Sequence, residues 1–373
     1  MPNTYDIAII GAGIVGAACA AECAAEGLNV VVIERDCVGG GATAAGMGHI
    51  VVMDDSEAQF ALTHYSQNLW RELRAELPPE VEYQDTGTIW VAADEEEMRE
   101  VHRKHEYYAQ RGVPTEILDA AALAEAEPNL RPGLAGGLLV PEDGVLYPPA
   151  AAKFLLRDSH SIELLIGRSV TQLKPGELRL NDGTKVVAGS IVNASGALSP
   201  ELTPGLAVVR RKGHLVITDR YPGYVRHQLV ELDYLKSAHS LTADTVAFNV
   251  QPRQTGQLLI GSSRQYGAEH SSIDRQIVTA MIRRACEYIQ GLGKLQAIRT
   301  WTGFRAATPD KLPIIGPAIG PEGVYIATGH EGLGITTSLA TAKLLIDQIV
   351  ERESAIPIAP YLPGRFATEH THA

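Results

Sequence analysis

An α/β fold with a second domain on an antiparallel sheet is predicted by three observations. The chain opens with a strand, a glycine-rich turn, a helix and a second strand that ends in an acid. It closes with another strand that runs through a glycine-rich turn into a helix. Between them, from about Lys212 to Arg299, lie several short β-like stretches followed by one helix.

The opening strand is Tyr5-Asp6-Ile7-Ala8-Ile9-Ile10, and it meets Gly11-Ala12-Gly13-Ile14-Val15-Gly16 directly. The helix continues from Ala17 to Glu26 and stops at Gly27; Val30-Val31-Val32-Ile33 follows and carries Glu34 at its end. This spacing describes a βαβ unit that holds a dinucleotide. Gly11 permits the tight turn, Gly13 lets the backbone approach a pyrophosphate, and Gly16 lets helix and strand pack closely. The helix N-terminus presents free N–H groups and positive partial charge to the phosphates. Glu34 stands about 20 residues past the first glycine, where an acid accepts the ribose hydroxyls. NAD and FAD share the half that this unit grips, so it leaves open which of the two is bound.

The segment Gly39–His49 is too rich in glycine to read as a buried element, and it suits close approach of backbone to a ligand. Ser56 to Leu77 has helical spacing, with Ser56 as N-cap; Thr88–Val91 reads as a strand and Asp94 to Arg111 as an amphipathic helix. Asn181-Asp182-Gly183 is the turn of a hairpin over Glu177–Ala188, and Ser190–Ala197 reads as a strand leaving into a small-residue turn. The later strands are His214–Ile217, Val246–Val250 and Gln257–Ile260, followed by a helix from Ser272 to Gln290. Val324–Thr328 is the last strand, Gly329–Gly334 the turn and Thr336–Val350 the last helix.

That final turn favours FAD over NAD. A helix N-terminus near Gly334-Ile335-Thr336 stabilises negative charge, which a reduced flavin develops on its pyrimidine side. NAD offers no matching group.

Composition narrows the partners. The 373 residues are 45% hydrophobic and 20% charged, with a formal net charge of −12, which argues against nucleic acid or an anionic membrane. No run approaches the ~18 apolar residues of a membrane span. The first strand begins by Tyr5, leaving no room for a cleavable leader, so the expected compartment is the cytoplasm. Cys19 and Cys23 read as small buried residues on the first helix, and with Cys37 and Cys286 they suggest neither a metal site nor a disulfide.

Taken together, these pieces resemble the D-amino-acid oxidase superfamily of flavoproteins, which includes glycine oxidase, sarcosine oxidase and subunits of D-amino-acid and D-hydroxyproline dehydrogenases. The resemblance runs through nearly the whole chain. It rests on the N-terminal unit, the Gly39–His49 loop, Val192–Ala197, Arg211–His214, Trp301-Thr302-Gly303-Phe304-Arg305 and the Gly329–Thr337 turn. Gly46-Met47-Gly48-His49, followed by Val51–Asp55, looks most similar to the members that act on D-hydroxyproline or D-proline.

The resemblance implies a Rossmann-like FAD-binding domain assembled from residues 1–50, 140–211 and 300–373, and a substrate domain from 51–139 and 212–299. It implies FAD contacts at Gly11, Gly13, Ile14, Val15, Gly16, Glu34, Arg35, Ala42, Thr43, Gly46, Met47 and Gly48. Further contacts are implied at Val170, Ala194, Gly196, Gly213, Gly332, Leu333, Gly334, Ile335 and Thr336. Arg305 is implied as the grip on the substrate carboxylate, for which a planar guanidinium is suited. Sarcosine-type members attach FAD through a cysteine shortly before a Thr-Pro-Asp; here Thr308-Pro309-Asp310 follows a stretch without cysteine, so FAD is expected to be noncovalent.

The implied reaction moves a hydride from the α-carbon of a small amino or imino acid to flavin N5, giving an imine. The readings that remain are a D-proline or D-hydroxyproline dehydrogenase, a glycine/sarcosine-type oxidase that makes hydrogen peroxide, and an FAD-carrying subunit of a heteromeric enzyme. The electron acceptor (oxygen, a quinone or an iron–sulfur partner subunit) is left open. His49 and His330 are further catalytic candidates because each lies in a turn expected to approach the flavin. Tyr266 and Asn249 are candidate contacts on the substrate sheet, although spacing does not separate them from ordinary strand residues.

Overall fold

A computed structural model describes residues 4–158, 160–232 and 244–366. In chain order its elements are β1 (Thr4–Ile10), α1 (Ile14–Ala25), β2 (Val30–Glu34), α2 (Gly41–Ala45), β3 (His49–Ile50), α3 (Glu57–Leu73), β4 (Thr88–Ala92), α4 (Glu95–Ala109), β5 (Glu116–Asp119), α5 (Ala120–Ala126), β6 (Gly136–Val140) and β7 (Gly144–Val145). Then come α6 (Pro148–Leu155), β8 (Ile162–Ile166), β9 (Val170–Lys174), β10 (Glu177–Leu180), β11 (Lys185–Asn193), α7 (Ser199–Leu202), β12 (Val209–Arg220), β13 (Gln228–Glu231), β14 (Thr245–Pro252) and β15 (Gln257–Arg264). The last are α8 (Arg275–Tyr288), β16 (Ala297–Ala307), β17 (Ile314–Pro317), β18 (Val324–Thr328) and α9 (Gly334–Ile349).

The chain divides into two compact units. Unit 1 comprises Met1–Val81, Leu146–Arg210 and Phe304–Ala373; unit 2 comprises Glu82–Val145 and Arg211–Gly303. Residues 51–81 therefore cluster with unit 1, whereas the sequence reading put them in the substrate domain. The cause is the packing of α3 on α9: Trp70 Nε1 donates to the Ile335 carbonyl at 3.2 Å, and Ala340 N–H donates to Ser66 Oγ at 3.1 Å.

Unit 1 is built on a sheet of order β17-β18-β11-β1-β2-β8, with β10 and β9 continuing from β11. Strands β18, β11, β1, β2 and β8 run parallel. Strand β1 has β2 on one side and β11 on the other, although β11 follows it by some 180 residues. The C-terminal ends of β1 and β11 thus lie together, as expected for a ligand crevice in an open parallel sheet. The hairpin and the strand read separately over Glu177–Ala197 are one system, because β11 runs unbroken from Lys185 to Asn193. The Gly39–His49 segment contains the one-turn helix α2, with Thr43 buried, so it is more structured than its glycines suggest.

Unit 2 carries a sheet in which β12, β15, β14, β13, β4, β6 and β5 neighbour one another in that order. Its later strands are antiparallel as expected, but β13 pairs with β4 in parallel, so the sheet is mixed. Helices start where acids cap them: Asp94 accepts from Glu96 N and Glu97 N at the start of α4, and Asp274 from Gln276 N and Ile277 N at the start of α8. One face of the sheet and α8 close an apolar core in which the Phe248 and Tyr288 rings stack at 4.4 Å. No helix among the described residues is long and apolar enough to cross a membrane.

Candidate functional site

Where β1 ends in unit 1, the backbone leaves no room for side chains. Gly11 has φ +103°, and a Cβ there would stand 2.8 Å from the Ala194 carbonyl oxygen. A Cβ on Gly16 would stand 2.0 Å from the Gly11 carbonyl oxygen, an overlap no real side chain tolerates. Gly13 is the N-cap of α1 and offers no side-chain cap, so the first-turn N–H groups are presented to a ligand. One is already used: Ile14 N–H donates to Thr43 Oγ1 at 2.9 Å, which ties α2 to the turn.

Glu34, at the end of β2, is held by two backbone donors. One carboxylate oxygen accepts from Ala12 N–H at 2.8 Å and the other from Asp36 N–H at 2.8 Å. A carboxylate has about four acceptor positions, so these bonds fix its orientation and leave others for hydroxyls. Arg35 is exposed and paired with Asp36 at 2.8 Å. Val170 packs against the apolar cluster that includes Ile10 and Ile33, behind this crevice.

The crevice floor is completed by β11. Ala194 N–H donates to the Ile10 carbonyl at 3.0 Å, and Gly196 takes φ +60° while its carbonyl accepts from Thr328 Oγ1 at 2.9 Å. Asn193, fully buried, donates to the Ser199 carbonyl and to Thr203 Oγ1, holding the turn after β11. Sequence reasoning did not select Asn193, because its role depends on partners that any small polar residue could provide.

The C-terminal turn belongs to the same unit and comes to the same place. A Cβ on Gly334 would lie 3.9 Å from Val15 Cγ2, so the start of α9 approaches the start of α1. A Cβ on Gly46 would lie 2.7 Å from Ile335 Cδ1, and Gly48 has φ +95° with no space for a side chain beside the Leu146 carbonyl. Thr336 Oγ1 donates to the His49 carbonyl at 2.8 Å, joining the two glycine-rich segments. Among the described residues no side chain caps α9, so its first N–H groups, from Gly334, Ile335 and Thr336, remain available for negative charge.

Arg305, half-buried, lies against this turn: a Cβ on Gly332 would be 3.6 Å from its Nε. Glu331 N–H donates to the Ala306 carbonyl at 2.8 Å and holds the turn beside the strand that carries Arg305. Unit 1 thus brings together Gly11–Gly16, Glu34, Thr43, Gly46–Gly48, Ala194, Gly332–Thr336 and Arg305. Gly213, on β12, belongs to unit 2, as do Asn249 on β14 and Tyr266, whose ring receives the Arg211 guanidinium at 4.5 Å. Among the described residues no cluster of His, Cys, Asp or Glu could hold a metal ion. Cys19 is fully buried, which pushes its thiol up to about 12; burial also raises Cys23.

His330 is buried, and its Nε2 pairs with Thr341 Oγ1 at 3.0 Å. Burial depresses its pKa from 6.5 to about 3, so the ring is uncharged at neutral pH and a feeble base. Because the unfolded chain takes up a proton near pH 6.5 that the folded ring refuses, His330 lowers stability as pH falls from 6.5 towards 3. Between pH 7 and pH 5 its share is about 2 kcal/mol. Urea unfolding of His330→Gln at the two pH values checks this: the wild type loses more stability than the variant by about that amount, and equal losses contradict the assignment.

The chain is similar to known flavoproteins along nearly its whole length. A family model described as "DAO: FAD dependent oxidoreductase" matches residues 6–348. The chain belongs to the DAO family of FAD-dependent oxidoreductases. This DAO protein is 26% identical to a glycine oxidase of Geobacillus kaustophilus, over 97% of each chain. The crystal structure of glycine oxidase from that organism superposes with a TM-score of 0.87 at 26% identity, covering 97% of this chain and 99% of the other. The hydrogen cyanide synthase subunit HcnC of Pseudomonas aeruginosa is 27% identical, over 99% of this chain and 98% of the relative. The L-proline dehydrogenase structure from P. horikoshii shares the fold, with a TM-score of 0.87 at 23% identity and 99% of each chain covered. The cofactor of this DAO protein is accordingly FAD, and the glycines that a Cβ would fill, together with the oriented Glu34, fit it.

Proposed function

We propose that this DAO protein oxidises a small amino or imino acid, of the D-proline or D-hydroxyproline kind, to the corresponding imine. The observation that carries the reading is Arg305 beside the uncapped α9 turn in unit 1. Its planar guanidinium grips a carboxylate with two parallel hydrogen bonds and orients the α-carbon. The first N–H groups of α9 stabilise the negative charge that develops when the substrate gives up its electrons. Gly11, Gly13, Gly16 and Glu34 hold the adenosine diphosphate end. FAD, when bound, would supply the hydride acceptor; the chemistry of oxidation is the cofactor's and the chain supplies binding and orientation. The stretch Trp301–Ala307 offers no cysteine, in keeping with noncovalent FAD.

A second reading, glycine or sarcosine oxidation with hydrogen peroxide as product, is favoured by the similarity to glycine oxidase along 97% of the chain. The similarity to HcnC, a subunit by its name, favours a heteromeric enzyme with partner chains. Anaerobic mixing of the yellow protein with D- and L-proline, 4-hydroxyproline, glycine, sarcosine and other amino acids decides among them. Bleaching by a cyclic imino acid at low concentration is the expected outcome, and bleaching by glycine or sarcosine alone establishes the second reading. Admission of air then separates the acceptors: recolouring within a turnover time marks an oxidase, and slow recolouring marks a dehydrogenase. A protein that none of these bleaches is not an oxidase of this class.

A further inference from the structure

Past α9 the chain makes two short 3₁₀ turns, Ala359–Tyr361 and Pro363–Phe366, both within unit 1. They lie beyond residue 348, where the match to the family stops. This strap is anchored along its length. Tyr361, 1% exposed, donates its hydroxyl to the Ala58 carbonyl at 2.6 Å. Leu362 Cδ2 fills the space beside Gly316, where a Cβ would stand 2.8 Å from it. Phe366 packs against the apolar cluster of Val208, Ala306, Ile314 and Ile326. Arg365 makes the most bonds. Its Nε and Nη2 donate to the two carboxylate oxygens of Asp310 at 2.7 and 3.1 Å, and Nη2 also donates to the Leu312 carbonyl at 2.8 Å. Its Nη1 donates to the carbonyls of Tyr361 and Leu362 at 3.0 and 3.1 Å, so every N–H donor of the guanidinium is engaged.

Exposed ion pairs contribute little, but this one is bidentate, networked and largely sheltered, with the Arg365 side chain 14% exposed. Its acceptors belong to the loop Thr308–Leu312, which leaves β16, the strand that carries Arg305. The loop is tightly made. Thr308 Oγ1 donates to the Leu312 carbonyl at 2.8 Å, Leu312 N–H donates to Asp310 at 3.1 Å, and Lys311 takes φ +64°. A residue with a Cβ keeps that left-handed conformation only where its surroundings impose it. The loop in turn meets the turn before α9, since a Cβ on Gly329 would stand 2.6 Å from Thr308 Cγ2. Ala306, next to Arg305, lies in the cluster that receives Phe366, and its carbonyl accepts from Glu331 N–H of the same turn. The strap therefore grips the chain directly after Arg305 and the turn on which Arg305 rests.

We propose that Arg365 is a positioning residue: through Asp310 and Leu312 it fixes the loop after β16, and with it the place of Arg305 against the Gly329–Gly334 turn. The inference rests on the carboxylate grip proposed above for Arg305 and names what holds that grip still. A planar fork meets a carboxylate with two parallel bonds only when its base is held to a fraction of an ångström, so the supporting contacts decide how well it binds. A shift of about 1 Å, caused by a change remote from the reacting atoms, is enough to cost about 100-fold. Arg365 acts here through the backbone of the loop.

The test uses the FAD-loaded full chain. Acetate and benzoate, carboxylates without an amine to oxidise, are titrated against the flavin absorbance, and the amino acid that bleaches the wild type is followed by anaerobic stopped-flow. Arg365→Gln and Asp310→Asn are each expected to weaken binding of carboxylate and substrate by about 10- to 100-fold, while the limiting rate of bleaching changes by less than about threefold and FAD content is kept. The two changes together do no more than either alone, because they break one contact. Arg365→Lys, which keeps the charge but only one of the bonds to Asp310, restores part of the affinity and covers the case in which the larger change prevents folding. Tyr361→Phe loosens the other end of the strap; it lowers the melting temperature and leaves binding unchanged, which separates stability from positioning. A lowered melting temperature in Arg365→Gln with wild-type affinity overturns the proposal, and so does a wild type that neither binds these carboxylates nor is bleached. Weakened binding in Arg365→Gln beside an Arg305→Lys protein that binds normally upholds the strap's hold on the turn and refutes Arg305 as the grip.

Discussion

Arg305→Lys lowers kcat/KM for the amino-acid substrate by roughly 100- to 1,000-fold while FAD content stays at the wild-type level. The size follows from the geometry of the two side chains. A guanidinium offers two parallel N–H donors to one carboxylate, and such charge-assisted bonds contribute about 1.5–3 kcal/mol each. Lysine keeps the charge but makes a point contact, so one bond is lost and the α-carbon is no longer held at a fixed angle. Anaerobic stopped-flow of flavin bleaching over a range of substrate concentrations gives the constants. The loss is expected mainly in apparent substrate affinity, with a smaller fall in the limiting rate from misorientation. Unchanged kinetics would remove Arg305 from the site, and a colourless variant would show that it acts on FAD binding instead.

The second large effect is on cofactor binding. Gly16→Ala yields a protein with little or no FAD, because the new methyl would sit 2.0 Å from the Gly11 carbonyl oxygen. Relief requires α1 to move away from β1, and that movement withdraws the first-turn N–H groups from the pyrophosphate. Affinity for FAD is expected to fall by at least about 100-fold, the loss of two charge-assisted bonds. Gly27→Ala is the control: φ is +79° there, but nothing lies within 4 Å of the added methyl. It costs about 1 kcal/mol of backbone strain and leaves FAD binding intact. Absorbance of the purified proteins at the flavin band relative to the protein band, before and after added FAD, measures both. A Gly16→Ala protein that is fully yellow contradicts the account of this turn.

Local signals were legible wherever neighbours in sequence carry the physics. The βαβ unit, the cap at Ser56, the Asn181–Gly183 hairpin and the last strand and helix all follow from residues within a few positions of one another. Helix ends were read a few residues long, as at α8, which stops at Tyr288 where Gln290 was expected. The middle of the chain was less readable. The strands β5, β6, β8 and β9 were not read, although Pro175-Gly176 after β9 and Pro132-Gly133 before β6 are turn signals; their short apolar runs become strands through pairing with partner strands. Residues 51–81 were assigned away from unit 1 because nothing local in α3 announces that Trp70 and Ser66 meet α9.

The candidate site shows the same division. Gly11, Gly13, Gly16 and Glu34 could be named from spacing, since a single βαβ unit contains them all. That Gly46 and Gly48 face Ile335 and Leu146, or that Arg305 lies on Gly332, depends on segments well separated in sequence that meet only in the folded chain. The C-terminal strap was invisible for another reason: Arg365 and Asp310 look like ordinary surface charges until the folded chain shows the guanidinium bonded to the loop after β16. By itself, then, the sequence determined the α/β class, the glycine turn after β1 and the acid at the end of β2, because these are short-range consequences of glycine and of helix and strand periodicity. Only the tertiary structure decided which segments join unit 1, that the C-terminal turn meets the first helix, and which loop Arg365 holds. Those are outcomes of long-range strand pairing and burial, which no local window of sequence contains.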